Sequence, residues 1–216
     1  MKFKAVLFDL DGTLLDTIED ISDSMNSVLA KNGYPVHDIE AYKYFVGDGM
    51  KTLVQRALPK GTYSTQQIDN YLQANKAEYA RRWSDKTVLY PGIGGLLDGL
   101  TDKGINCAVL SNKPDAFTKQ IVEKLLAGWN FYPIFGERLG IPKKPDPAGA
   151  LEIASILKVK PEECLYLGDT GTDMETAKAA GMYAIGVLWG FRKADELLDS
   201  GARVLVSDPL QVLEML

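Results

Sequence analysis

Asp9 and Asp11 are the residues of this chain best placed to do chemistry. They end a short apolar run, Phe3-Lys4-Ala5-Val6-Leu7-Phe8, and are separated only by Leu10 before the turn Gly12-Thr13. Such a run reads as a buried strand, and its end is the carboxyl edge of a sheet, where open α/β proteins place their sites. Two carboxylates crowded there repel each other and lose hydration, so a compensating charge is expected. An all-oxygen site of this kind suits Mg²⁺. The plainer alternative is that the aspartates only shape a turn, but turn chemistry asks for one aspartate rather than two around an apolar residue.

Three further segments repeat the pattern of a strand ending in polar residues. Val109-Leu110 is followed by Ser111-Asn112-Lys113, where a small hydroxyl beside backbone N–H groups can donate to an anion. Pro142-Lys143-Lys144-Pro145 is a basic turn whose prolines stiffen the backbone around Lys144. Leu165-Tyr166-Leu167-Gly168 runs into Asp169 and Asp173, with Asp169 at the strand end and Asp173 opening a helix that it could simply cap.

The elements that must position these residues alternate along most of the chain. Residues 93–103, the stretch marked by Phe117 to Leu125, the stretch marked by Leu151 to Leu157, and 173–180 read as helices. Residues 106–110, 164–167, 184–188 and 204–206 read as strands. Strands separated by helices predict an α/β core: a Rossmannoid three-layer arrangement with a parallel sheet. Residues 16–86 break the alternation, because helical spacing covers 17–32, 38–46, 49–58 and 65–84 and no strand is evident. The expected division is therefore a core of residues 1–15 and 87–216, with a small all-α cap, residues 16–86, inserted after the first strand.

Composition narrows the classes. The chain has 216 residues with a net charge of −5, which disfavours nucleic acid and anionic membranes as partners. No apolar stretch approaches a membrane span, and the chain opens on a strand rather than a leader, so a cytoplasmic protein is expected. Cys107 and Cys164 lie in apolar runs and read as buried, reduced thiols. His37, the single histidine, stands in a loop without companions, which argues against zinc and Ser-His-Asp chemistry. Oligomeric state is not readable.

Taken in order, Asp9-Leu10-Asp11-Gly12-Thr13, Ser111, Lys144 and Gly168-Asp169 with Asp173 resemble the motif set of the haloacid dehalogenase superfamily. The resemblance implies Mg²⁺-dependent phosphoryl transfer. Asp9 would attack phosphorus, Asp11 would protonate the leaving oxygen and then activate water, and Lys144 would pair with Asp9 and the phosphoryl group. Ser111 would bind the phosphoryl group, with Asn112 and Lys113 contributing to the same pocket. The metal set would be Asp9, the main-chain carbonyl of Asp11, Asp169 and Asp173. An aspartate at position 11 points to a phosphatase or phosphomutase.

Within the superfamily, Val46-Gly47-Asp48-Gly49-Met50-Lys51, Ser111-Asn112-Lys113 and Trp189-Gly190 resemble the phosphoglycolate phosphatases. The expected partner is thus a small phosphorylated metabolite, 2-phosphoglycolate first. Gly47 and Gly49 would present backbone N–H groups to an anion, and Lys51 would meet the substrate carboxylate, with Lys113, Arg192 and Arg82 as alternatives. Pyrophosphate, nucleoside monophosphates and sugar phosphates are other substrates that this superfamily accommodates. A phosphomutase and a non-catalytic phosphate-binding module are the remaining readings.

Overall fold

The computed structural model describes residues 3–216. Its main sheet has six parallel strands in the order β5-β4-β1-β6-β7-β8. These are β1 (Ala5–Phe8), β4 (Asn106–Pro114), β5 (Phe131–Glu137), β6 (Cys164–Gly168), β7 (Tyr183–Val187) and β8 (Val204–Val206). β1 is buried on both faces, as its unbroken Ala-Val-Leu-Phe run requires in a parallel sheet. Val6 and Phe8 join one apolar core, while Ala5 and Leu7 join the other. On the first face lie α5 (Ile93–Asp102) and α6 (Asp115–Leu125), which contribute Ile93, Leu96, Ile121 and Val122. On the second lie α7 (Ala148–Leu157), α8 (Gly171–Ala180) and α9 (Ala194–Asp199), contributing Ile153, Met174 and Leu197. The result is the expected helix–sheet–helix sandwich.

Register explains why the polar motifs converge. Phe8 of β1 aligns with Val109 of β4 on one side and Leu167 of β6 on the other. Asp9, Ser111 and Asp169 therefore emerge within two residues of one row, at the carboxyl edge of the sheet.

Between β2 (Leu15–Asp16) and β3 (Val88–Leu89) the chain forms four successive helices: α1 (Ile18–Lys31), α2 (Ile39–Phe45), α3 (Met50–Ala57) and α4 (Thr65–Arg82). α1 buries Ile18, Ile21, Met25, Val28 and Leu29, one stripe at helical spacing. α4 starts at a capping box in which Ser64 and Gln67 exchange hydrogen bonds. β2 and β3 pair antiparallel and bring the two ends of this block together. Beside them, the buried Asp20 carboxylate accepts hydrogen bonds from the Lys86 and Thr87 N–H groups and the Thr87 hydroxyl.

Several elements differ from the sequence reading. β4 continues through Ser111, Asn112 and Lys113, so these residues stand on the strand's extension rather than in a loop after it. β5 was not expected, because Pro133 interrupts its apolar run; it is accommodated since β5 is an edge strand. β2, β3, α9 and two 3-10 turns, Pro161–Glu163 and Pro209–Met215, are too short for periodicity to reveal. α8 begins at Gly171 rather than Asp173, with Thr170 as its N-cap. Among the described residues, no helix is long and apolar enough to cross a membrane.

Candidate active site

Asp9 leaves the end of β1 almost wholly buried, and its Oδ1 lies 2.8 Å from the Lys144 ammonium. The same ammonium donates to Asp173 Oδ1 at 2.6 Å. Lys144 thus bridges the strand-end Asp9 and the helical Asp173, whereas its neighbour Lys143 points outward and donates to the Asp48 backbone carbonyl. Asp173 serves two purposes. Its second oxygen accepts from the Thr170 N–H and hydroxyl at the start of α8, so it caps the helix and pairs with Lys144 at once.

Asp169 is held by four neighbours. Its Oδ1 accepts from the Thr13 hydroxyl at 3.2 Å and its Oδ2 from the Phe191 N–H at 2.8 Å. Gly12 and Gly190 press against it from the other sides: a Cβ on either would fall 2.3 Å or 2.2 Å from an Asp169 side-chain atom. Gly12 also has φ +86°, where a side chain is strained in any case. Thr13, read as a turn former, in fact reaches across to Asp169.

Burial pushes the Asp9 carboxyl up to about 7; Lys144 opposes the rise, while Asp173 and Asp11 add to it. Burial likewise holds Asp169 well above the carboxylate range, reinforced by Asp173 and Asp9. For the Lys144 ammonium, burial works the other way, but Asp173 and Asp9 outweigh it and keep its pKa well above that of an ordinary lysine.

Asp9, Asp169 and Asp173 each turn a carboxylate oxygen to one place, with those oxygens within 4.8 Å of one another. With Asp11 the site gathers four buried carboxylates, against the two buried ammonium groups of Lys144 and Lys113. Oxygen donors with excess negative charge fit a hard divalent cation, Mg²⁺ above all. The side chain of Asp11 is not part of this cluster.

Asp11 instead faces Lys113, whose ammonium donates to both carboxylate oxygens at 2.9 Å. That ammonium lies 4.5 Å from the centre of the Tyr79 ring, on α4. Ser111 Oγ accepts from the Lys113 N–H, which leaves its own proton free to donate outward. Asn112 lines the cavity beside Ser111 and Lys113, and its amide is engaged by backbone groups. Its Oδ1 accepts from the Lys144 N–H, and its Nδ2 donates to the carbonyls of Lys144 and Gly47. It therefore ties the Lys144 turn to the loop between α2 and α3.

Other core groups grip that loop. Arg192 donates to the Val46 carbonyl at 2.9 Å, and Thr172 to Asp48 Oδ1 at 2.9 Å. Gly47 and Gly49, at φ +116° and +88°, let the loop turn into α3 close against the core. An open cavity results, lined by Asp9, Asp11, Ser111 and Lys113 from the core and by Gly47, Gly49, Asn75 and Tyr79 from the helical block.

Lys51 is not brought to this cavity. It sits one position beyond Met50 on α3, exposed, and its ammonium pairs with Asp69 at 2.9 Å. The alternatives Arg82 and Arg192 are engaged by Glu78 and Glu196. Lys113 is the one cation among the described residues lining the cavity. Asn75 and Tyr79, the polar groups supplied by α4, carry no sequence signal beyond the helical spacing of residues 65–84. His37 is satisfied by its contact with the Ala57 carbonyl, and both cysteines are buried and free.

The family model for haloacid dehalogenase-like hydrolases matches residues 6–187. The chain belongs to this family. It is 32% identical to a phosphoglycolate phosphatase of Pseudomonas putida over 213 residues, 97% of this chain and 78% of that protein. A phosphoglycolate phosphatase of Psychrobacter arcticus is 31% identical over 207 residues, covering 91% of this chain and 88% of its own. Among solved structures, a candidate phosphoglycolate phosphatase from Lactobacillus delbrueckii subsp. bulgaricus superposes with a TM-score of 0.91. It shares 32% identity and covers 100% of this chain and 98% of its own. This haloacid dehalogenase-like chain is thus an enzyme of the phosphatase type, with its motif residues gathered at one sheet edge.

Proposed function

We propose that this phosphatase hydrolyses a small phosphomonoester, 2-phosphoglycolate, through an aspartyl-phosphate formed on Asp9. The observation that carries the reading is the pairing of two differently held aspartates at one cavity. Asp9 is clamped through Oδ1 by Lys144, which leaves Oδ2 as the attacking atom, while Asp11 is held separately by Lys113. A binding module has no use for such a pair.

In the first step Asp9 Oδ2 bonds to phosphorus as the ester P–O bond breaks, and Asp11 gives its proton to the departing oxygen. In the second, water attacks phosphorus, Asp11 takes its proton, and the bond to Asp9 breaks to restore the carboxylate. Lys144 offsets the negative charge gathered on the phosphoryl oxygens, and Ser111 donates to one of them. Asp9, Asp169, Asp173 and the Asp11 carbonyl would hold Mg²⁺, which when bound aligns the phosphoryl group with Asp9 and lowers the charge repulsion between them. Residues 16–86 act as a cap on the core of residues 1–15 and 87–216, and the Val46–Gly49 loop shuts out bulk water.

The phosphoglycolate phosphatases that this chain resembles favour that substrate, and the modest cavity with a single cation at its wall fits a small anionic leaving group. Phosphate release from 2-phosphoglycolate, pyrophosphate, nucleoside monophosphates and hexose phosphates, with Mg²⁺ present, tests the reading. Preference for 2-phosphoglycolate supports it. A uniform profile retains the mechanism and discards the substrate.

A further inference from the structure

One side chain of the helical block reaches into the ion pair that holds Asp11. Tyr79, on α4, is buried and lines the cavity together with Asp11 and Lys113. The Lys113 ammonium stands over its ring, 4.5 Å from the centroid. Phe117, on α6, meets the same ring in a T-shaped contact, with centroids 5.3 Å apart and planes at 81°. Both neighbours belong to the core, so Tyr79 is wedged where α4 docks against the end of β4 and the start of α6. Burial pushes its phenol up to about 12, although the Lys113 charge works to lower it. The ring that faces the ammonium is therefore neutral, and the face of a neutral aromatic ring attracts a cation through its quadrupole. That attraction is strongest where water is scarce, and the Lys113 side chain is only 4% exposed.

From this arrangement we infer that Tyr79 is a positioning residue: its ring face seats the Lys113 ammonium, which in turn holds the Asp11 carboxyl for proton donation. The inference rests on the reading of Asp11 as the acid of the first step, and it brings the helical block into that step through one side chain. Tyr79 itself touches no reacting atom. A lysine ammonium is a point charge on a flexible stem, with donors that rotate. Asp11 takes it through both oxygens, and the ring keeps it there. Without the ring the ammonium turns toward water in the cavity, and the plane of the Asp11 carboxyl is no longer fixed. Asp9 is held by a different cation, Lys144, so its attack on phosphorus is not weakened in the same way. Loss of the ring therefore slows departure of leaving groups that need a proton and spares those that do not.

The test is the dependence of kcat/KM on leaving-group acidity, measured with Mg²⁺ over ring-substituted phenyl phosphates of similar size, from phenyl to p-nitrophenyl. This parameter reports cleavage of the ester bond rather than hydrolysis of the phosphorylated enzyme. The wild-type enzyme should show a shallow dependence and Asp11→Asn a steep one. In Tyr79→Leu the ratio of phenyl to p-nitrophenyl phosphate should fall about tenfold, part of the roughly 10²–10⁴ that a positioned acid supplies. Leucine also leaves space in the core, so two variants that keep the ring complete the series. Tyr79→Phe should retain most of the wild-type slope. Tyr79→Phe carrying three ring fluorines, which keeps the shape but drains negative charge from the face, should steepen the slope toward that of leucine. A merely structural role would lower every substrate by one factor. Such parallel losses, or unchanged slopes in the leucine and fluorinated variants beside a steep Asp11→Asn, would overturn the role of Tyr79 and leave that of Asp11 intact. An unchanged slope in Asp11→Asn would overturn the acid reading and this inference with it.

Discussion

The Lys113 ammonium spans both carboxylate oxygens of Asp11 at 2.9 Å, and both residues are nearly buried at the wall of the cavity. This pair fixes the plane of the Asp11 carboxyl, and Tyr79 covers the ammonium from the helical block. Burial disfavours the Lys113 charge, but Asp11 outweighs it, so the ammonium stays charged across the physiological range.

Replacing Lys113 by Met therefore leaves Asp11 buried without its counter-charge. Breaking such a pair costs about 3–5 kcal/mol at full burial, and less here because the cavity admits water. The expected result is a lowered melting temperature together with a fall in kcat of about a hundredfold on every substrate, the scale of positioned acid–base catalysis. The Asp11→Asn, Lys113→Met double variant should lose little beyond Asp11→Asn alone. Multiplicative losses in steady-state kinetics would show that the two residues act independently.

Asn112 supports a second prediction. Its amide makes three hydrogen bonds to backbone atoms, two to Lys144 and one to Gly47. Asn112→Ala should destabilise the protein on the order of 2–4 kcal/mol, since it orphans buried backbone groups. It should also raise KM, because the Lys144 turn and the Val46–Gly49 loop lose their common tie. Denaturant unfolding and initial-rate kinetics check both outcomes; unchanged stability would contradict the bridging role.

The acid cluster predicts how pH and divalent metal interact. The Asp9 carboxyl titrates at 3.8 when unfolded and near 7 when folded, so between these values the native state holds the extra proton. Stability of the metal-free protein from this group is accordingly full at low pH and lost as pH rises from about 4 to 7. A divalent cation competes with that proton, so the rise in melting temperature on adding Mg²⁺ should be larger at about pH 8 than at about pH 5. Equal shifts, measured against a chelator control, would speak against Asp9 as a ligand.

The Gly12 contact gives a prediction local to Asp169. In Gly12→Ala the new Cβ would fall 2.3 Å from Asp169 Oδ2 at a φ of +86°, so Asp169 must move. The variant should need at least about tenfold more Mg²⁺ for half-maximal turnover, a loss of about 1.4 kcal/mol. A metal titration with an unchanged midpoint would contradict the placement of Asp169.

Much of this site was legible because parallel strands write it in the sequence. A buried apolar run that stops at Asp9, Ser111 or Asp169 marks a strand end, and the register of β1 with β4 and β6 brings those ends together. What the pattern could not reveal is direction. Lys144 was expected to meet Asp9, but its bond to Asp173 depends on where α8 begins, one residue after Thr170. Asn112 does line the cavity, but the sequence could not show that β4 continues through it and that its amide ties backbone groups together. Lys51 stands two residues beyond Gly49, but on α3 its side chain leaves on the outer face toward Asp69. Asn75 was invisible because a polar residue on a long, largely polar helix resembles its solvated neighbours; only the packing of α4 over the core turns it inward. β5 escaped for a related reason: Pro133 is excluded from a central strand but tolerated at the edge, and a single sequence does not say which strand is the edge.

In the proposed mechanism Asp9 carries the phosphoryl group. The most direct measurement is rapid acid quenching of the Asp11→Asn variant during turnover of p-nitrophenyl phosphate with Mg²⁺, followed by peptide mass analysis. This substrate's leaving group departs without protonation, so the first step proceeds while the second, lacking its base, stalls. The expected result is one phosphoryl group on the peptide containing Asp9, with none on the same peptide when Asp9→Asn is combined with the variant. Release of p-nitrophenol with no phosphorylated peptide, or with the phosphoryl group on another residue, would contradict the account.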